Sequence, residues 1–190
     1  GPVLVLPAAL IGTPADADLW GHITFGRDIL ETGQIVQADS YAFTSDRAWV
    51  NHEWLSEITF ARSFGLAGSS GLVGLKVLVI AVLFLLLWRH IKRTDAPPLA
   101  VVALLLLAFV GTFWRTHTVR PQLFSVLFFA ILLITLTRLD RGRRWMWLLI
   151  PPLMAVWVNV HGGWIVGIGV LGFWTAARLV NAQMPLHERL

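Results

Sequence analysis

Long apolar runs separated by short polar connections fill the chain from residue 71 onward. Five runs cover residues 71–88, 98–114, 122–137, 145–160 and 164–180, and each is about 16 to 18 residues long. A helix needs roughly 17 to 25 residues to cross the hydrocarbon of a bilayer. We therefore predict five membrane spans over residues 71–180.

The opening run, residues 2–12, is apolar but too short to span, and is interpreted as the outer end of a first span. No initiator Met is present, so Gly1-Pro2 is expected to be a cleavage scar or an internal start of a truncated chain. The predicted fold is an all-α integral membrane protein of about six spans, a single membrane domain over residues 1–190.

Residues 13–70 form one long polar connection whose pattern predicts two amphipathic helices lying on the membrane. The first covers residues 17–32, with Gly33 as its stop. The second begins after Asn51, an N-cap residue type, and stops at Gly65. Residues 40–50 between them predict a short hairpin that turns at Ser45-Asp46. The inward positions are Leu19, Ile23, Gly26 and Leu30 in the first helix and Trp54, Leu55, Ile58 and Ala61 in the second.

Composition supports a membrane protein and narrows the chemistry. The mean hydropathy is +0.70, and 56% of residues are hydrophobic while 14% are charged, which is far too apolar for an ordinary soluble domain. The chain has no cysteine, which excludes disulfides, thiolate catalysis and cysteine-ligated metals.

The charged residues divide between alternate connections. Nine of the fifteen basic residues follow the predicted spans 71–88, 122–137 and 164–180, as cytoplasmic loops and a cytoplasmic tail (residues 181–190) would require. This placement explains the net charge of +4 without a nucleic-acid partner. The first loop has eight carboxylates against three arginines, so we expect it to be extracytoplasmic on a multi-pass inner-membrane protein.

Two polar clusters in the first loop are candidates for chemistry. Asp18 and His22 are one helical turn apart, and Asp16 precedes them, so these three side chains could bind a divalent cation or form a carboxylate–imidazole pair. The alternative is that the aspartates only cap the helix and His22 is an interfacial histidine. His52 and Glu53 have the same ambiguity at the start of the second helix.

Further polar residues fall in the next outer connections. Arg115, His117 and Arg120 lie in one, and Asn159 and His161 in the other. The two arginines either snorkel to headgroups and pair with the acidic loop, or they bind an anion such as a lipid phosphate. Pro151-Pro152 is expected to kink the fourth span, and the glycines at 163 and 167 to let helices approach closely.

The order of these motifs resembles the N-terminal module of GT-C superfamily membrane glycosyltransferases. Within that superfamily, the chain is most similar to bacterial relatives of the protein O-mannosyltransferases and lipid A aminoarabinose transferases. The elements that carry the resemblance are Asp16-Ala17-Asp18-Leu19-Trp20-Gly21-His22, Asp39-Ser40-Tyr41-Ala42-Phe43-Thr44, His52-Glu53-Trp54-Leu55, Val119-Arg120-Pro121-Gln122-Leu123-Phe124-Ser125 and Asn159-Val160-His161-Gly162-Gly163.

The resemblance implies sugar transfer from a polyprenyl-phosphate donor to an acceptor hydroxyl. Asp16 or Asp18 would be the general base, or metal ligands together with His22. Arg115, Arg120 and His161 would bind the donor phosphate. The residues that would support the acceptor are His22, His52, Glu53, His117 and Asn159. Family enzymes usually have more spans and an outer soluble domain.

Two other functions compete with this one. The first is a non-catalytic membrane subunit whose outer loop docks a partner protein, which the ten tryptophans support modestly. In either case a partner could complete the site, and membrane lipids surround the chain. The second is a transporter or ion pathway, which ranks lowest because Lys76 is almost the only ionisable residue in the centre of a span.

Overall fold

The computed structural model describes Thr13, residues 16–35, Gln37, Tyr41 and residues 50–183. In this part of the chain all regular structure is helical, as predicted. Residues 2–12, most of the hairpin expected at residues 40–50, and the end of the tail lie outside the described residues. The helices are α1 (Leu19–Thr32), α2 (Trp54–Ile91), α3 (Pro98–Thr116), α4 (Gln122–Asp140), a 3₁₀ helix (Arg144–Leu149), α5 (Ile150–Trp157) and α6 (Trp164–Gln183).

Four of these helices, α2, α3, α4 and α6, are long and apolar enough to cross a membrane. The span predicted over residues 145–160 is wrong as a single helix, because the run is divided into the 3₁₀ helix and the eight-residue α5. Pro151 and Pro152 lie in the first turn of α5. Proline lacks the N–H and clashes with the preceding turn, so a helix restarts at this pair rather than continuing through it with a kink.

Helix α1 ends where its sequence predicts. Gly33 adopts a left-handed φ of 69° and donates its N–H to the carbonyl of Ile29, which closes the last turn. Of the expected inward positions, Leu19, Ile23 and Gly26 are buried. Ile29 takes the place of Leu30, which is 40% exposed.

The first segment of α2 does not end at Gly65, as the pattern suggested, but at a break inside the helix about three residues later. The break is at Ala67 and Gly68, where Gly68 has a φ of 56° that glycine adopts without strain. The buried side chains of the first half are Ser56, Glu57, Phe60 and Ala61. The expected inward residues Trp54, Leu55 and Ile58 are only half buried, because Ser56 and Glu57 have hydrogen-bond partners inside.

Apolar clusters of buried residues hold the helices together, and two of them set the positions of α1 and α5. One joins α1 and α2 to the residue before Arg120, and contains Leu19, Ile23, Phe60, Leu72 and Val119. The other joins α4, the 3₁₀ helix and α5, and contains Leu132, Leu136, Leu139, Met146, Ile150 and Trp157. The first cluster places α1 and the start of α2 against the connection that follows α3.

A close approach at Gly26 fixes how α1 lies on α2. A Cβ atom there would be 2.1 Å from the backbone oxygen of Glu57 and 2.9 Å from the Cβ of Ala61. On the same helix, a Cβ at Gly21 would meet nothing within 4 Å. Only at Gly26, therefore, does the packing of the two helices exclude a side chain.

We predict that Gly26→Ala separates the two helices and lowers the free energy of unfolding by roughly 1–3 kcal/mol, as overpacking does. The matched variant Gly21→Ala should melt at the wild-type temperature or slightly above it, because alanine favours helix. Thermal unfolding of both variants in detergent provides the measurement. Equal melting temperatures for the two would contradict the packing at Gly26.

Candidate functional site

The start of α2 is docked on the connection between α5 and α6. The backbone N–H of Leu55 donates to the carbonyl of Asn159 at 3.1 Å, and the indole Nε1 of Trp54 donates to the side-chain oxygen of Asn159 at 2.7 Å. Ser56 Oγ donates to the carbonyl of Val160 at 3.0 Å. The first N–H groups of a helix lack partners within it, and the bond from Leu55 satisfies one of them. The docking also brings Glu53 beside His161.

Glu53 lies among three imidazoles. The carboxylate oxygens are 3.9 Å from His22 Nε2, 3.7 Å from His52 Nε2 and 4.0 Å from His161 Nε2. Burial raises the pKa of the Glu53 carboxyl, although the charges of His22 and His52 oppose that shift. The three distances exceed hydrogen-bond length, so the carboxylate interacts with the rings electrostatically rather than through hydrogen bonds.

Glu57 is one turn further along α2 and is almost completely buried, with 2% of its side chain exposed. Its carboxylate accepts a hydrogen bond of 2.6 Å from the amide of Asn51 and lies 3.4 Å from His22 Nδ1. Asn51 Oδ1 also accepts the backbone N–H of Glu53. Asn51 therefore organises both glutamates. The sequence suggested Asn51 as the N-cap of α2, but Glu53 occupies that position.

Arg120 bridges the two aspartates before α1. Its Nε pairs with Asp16, and its NH2 group is 2.8 Å from Asp18 Oδ2. The Arg120 guanidinium holds the pKa of Asp16 below 3.8, although burial acts in the opposite direction. Asp18 occupies the N-cap position but makes no side-chain capping hydrogen bond. In the structure these aspartates bind an arginine rather than cap a helix.

Two adjoining cavities connect these networks. The first, of about 300 Å³, is lined by residues that include Asp18, His22, His52, Glu53 and Glu57. The second, of about 170 Å³, is lined by residues that include Asp18, His22, Glu53, Arg120 and His161. Because Asp18, His22 and Glu53 border both, we treat the two cavities as one polar cleft.

Lys76 supports the cleft from within α2. It is fully buried, and its ammonium donates to Thr13 Oγ1 at 2.6 Å and to the carbonyl of His117 at 3.1 Å. Each of these partners stands three residues before a member of the Asp16–Arg120 pair. Lys76 thus holds together the two segments that carry the pair.

The remaining predicted site residues lie at the margin. The His117 ring stacks on Phe113 and packs edge-on against Trp114, and it borders neither cavity. Arg115 is exposed in the last turn of α3, and it also borders neither cavity. Asn159 is bound to Trp54 and has a supporting role.

Sequence reasoning missed Glu57, Ser125 and Trp157. Glu57 follows Glu53 at helical i, i+4 spacing, a signal that places both carboxylates on one face. Ser125 Oγ lies 2.8 Å from His161 Nδ1 and accepts the indole N–H of Trp157 at 2.8 Å. Nothing local in the sequence indicates that contact, because the three residues lie on three different elements.

The residues present give little basis for a metal centre. In the described ranges no group of three or more His, Asp or Glu side chains is arranged to hold a metal ion. Asp16 and Asp18, the ligands suggested together with His22, are both bound by Arg120. We therefore assign no metal to the cleft.

No protein-family model, curated protein or solved structure matches this chain. The likeness to GT-C glycosyltransferases consequently rests on the motifs alone.

The Asp16–Arg120 pair gives a pH-dependent prediction. A carboxyl whose pKa is lowered by folding stabilises the protein above its unfolded value of 3.8, and this contribution is lost as the pH falls through the folded value. Asp16→Asn should therefore lower the free energy of unfolding at pH 7 by about 1–2 kcal/mol, a modest figure because Arg120 is 37% exposed. The difference from wild type should shrink below pH 3.8.

Unfolding in detergent between pH 7 and pH 3 measures this difference. Asp95→Asn is the matched control, because Asp95 is exposed near the opposite ends of the helices. A pH-independent deficit in Asp16→Asn, or an equal deficit in the control, would refute the assignment.

Proposed function

We propose that this chain is a GT-C-type glycosyltransferase, or the N-terminal module of one, that uses a polyprenyl-phosphate-linked sugar. The observation that carries the proposal is the convergence of Asp18, His22, Glu53, Arg120 and His161 on one cleft at the ends of apolar helices. Ionisable groups concentrated at a helix end suit a reaction between a membrane-borne donor and a polar acceptor.

We infer that the cleft opens on the extracytoplasmic side of the inner membrane. Support comes from the basic residues at the opposite helix ends, which the positive-inside rule assigns to the cytoplasm. They are Arg89, Lys92, Arg93, Arg138, Arg141, Arg143, Arg144 and Arg178.

Asp18 is the better candidate for the general base. Its side chain is 67% exposed and borders both cavities, whereas the side chain of Asp16 is 11% exposed and borders neither. In the proposed reaction Asp18 takes the proton of the acceptor hydroxyl. The hydroxyl oxygen then bonds to the anomeric carbon as the bond to the lipid phosphate breaks, with inversion. Asp16 is assigned a positioning role through Arg120.

The departing phosphate would gain its charge beside Arg120 and His161, which line the smaller cavity, while Arg115 would act on it by its charge from outside the cavity. Arg120 has five N–H donors, so it can keep both aspartates and still offer donors to a phosphate oxygen. Arg115 forms no ion pair with any described residue, and its charge acts on His161. Such prepared donors stabilise charge that develops in the transition state.

The acceptor would bind in the larger cavity. His22, His52 and Glu53 offer both donors and acceptors of hydrogen bonds there, as a hydroxyl-bearing molecule requires. Glu57, which accepts a hydrogen bond from Asn51, contacts His22 Nδ1 and holds the imidazole in place.

We expect Asp18→Asn to lower the transfer rate by roughly 10²- to 10⁴-fold, the usual contribution of a general base. Asp16→Asn should have a smaller effect, and Asp95→Asn none. The assay follows release of polyprenyl phosphate and labelling of acceptors in proteoliposomes, with undecaprenyl-phosphate-linked sugars as donors. Membrane expression of each variant is the control for folding.

Full transfer activity in Asp18→Asn would show that the proposed base is wrong. A wild-type chain that transfers no sugar, but copurifies with a stoichiometric protein partner, would instead favour a subunit of a larger complex.

A further inference from the structure

One ring nitrogen of His161, Nδ1, lies within hydrogen-bond distance of two neighbouring groups. The backbone N–H of Gly163 donates to Nδ1 at 3.0 Å, and Ser125 Oγ lies 2.8 Å from the same atom. Ser125 Oγ also accepts the indole N–H of Trp157 at 2.8 Å. Trp157 is 1% exposed, so its indole has no competing contact with water.

The chemistry of these donors decides where the proton of His161 lies. A backbone N–H and an indole N–H can only donate. Nδ1 must therefore accept from Gly163, and the Ser125 hydroxyl, whose oxygen is engaged by Trp157, directs its hydrogen to Nδ1. The single proton of a neutral imidazole then belongs on Nε2.

We propose that Trp157, Ser125 and Gly163 are positioning residues that fix His161 as a neutral imidazole with its proton on Nε2, a hydrogen-bond donor to a ligand oxygen in the cleft. The tautomer stands on the contacts alone. The identity of the oxygen, on the donor phosphate or the acceptor, rests on the proposed function.

The geometry of the other ring edge agrees with this role. His161 borders the cavity of about 170 Å³, and its Nε2 is 4.0 Å from Glu53 Oε1, too far for a hydrogen bond. Ser125 borders neither cavity, so the contact does not describe a nucleophilic serine activated by a histidine. Its hydroxyl acts on the ring and not on a ligand.

The charged groups around His161 bear on its titration. Burial lowers the pKa of His161, and the charges of His52, Arg115 and His22 act in the same direction. Glu53 faces Nε2 and favours the protonated ring, and Arg120 borders the same cavity. Protonating Nδ1 would also set its N–H against that of Gly163, a conflict independent of these charges.

Nitrogen-15 NMR of the full chain in detergent, labelled at histidine, tests the inference. His161→Gln assigns the signals among the six histidines. We expect a pyridine-type shift for Nδ1 and a pyrrole-type shift for Nε2 of His161, unchanged while the pH falls through the range in which free histidine titrates. A proton on Nδ1, or a charged ring at pH 7, would overturn the proposal.

Ser125→Ala removes one donor with little change of volume, so the protonation midpoint of His161 should rise and the Nε2–H population should fall. Ser125→Thr keeps the hydroxyl and should therefore show the wild-type protonation midpoint and the wild-type Nε2–H population. Gly163→Ala forms a second test, because its Cβ would be 2.6 Å from Ser125 Oγ and would displace it. Gly162→Ala is the matched control, since its nearest contact is 3.8 Å away.

The spectra do not depend on sugar transfer. A fixed Nε2–H tautomer in a chain that transfers no sugar would refute the proposed reaction but support the positioning of His161. A mobile proton on His161 in a chain that transfers sugar would support the reaction but refute the positioning. If Ser125→Ala left the titration of His161 unchanged, the serine would have no part in setting it.

Discussion

The hydrogen bond from the backbone of Leu55 to the carbonyl of Asn159 is the constraint on which the cleft depends. A helix that begins at a membrane surface exposes N–H groups that lipid cannot satisfy. Here the connection after α5 supplies the acceptor, and Trp54 and Ser56 add side-chain bonds to the same connection. The side-chain bonds join positions 105 and 104 residues apart in the sequence, and together these contacts place the carboxylate of Glu53 opposite His161.

Two polar networks meet at that point, and each has its own support. The aspartate–arginine network is anchored by Lys76, which bonds Thr13 and the carbonyl of His117. The glutamate–histidine network is anchored by Asn51, which bonds Glu57 and the backbone of Glu53. Because Asp18 and His22 lie one turn apart on α1, that helix links the networks, and its close approach at Gly26 sets the spacing between them.

The features that could be predicted from the sequence are those set by residues close together in the chain. The left-handed cap at Gly33 and the apolar face of α1 follow from residue type and spacing. Four of the five apolar runs predicted as spans lie in helices that can cross a membrane. The break at Gly68 rather than Gly65, and the division of the run at residues 145–160, depended on which glycine or proline the packing would use. The pairing of Arg120 with Asp16 and the contact of Ser125 with His161 are long-range, and no periodicity encodes them.

The cleft combines charged groups, Arg120 and its aspartates, with two groups whose neutral forms are favoured, Glu53 and His161. Arg120 is already balanced by two aspartates, so it adds little net attraction for an anion. Burial shifts Glu53 towards its protonated form and His161 towards its neutral form, and both changes reduce the charge in the cleft. An oxygen ligand would therefore be recognised there by directed hydrogen bonds more than by net charge. Such a site distinguishes ligands by the positions of their oxygens, as a transferase that orients a hydroxyl and a phosphate must do.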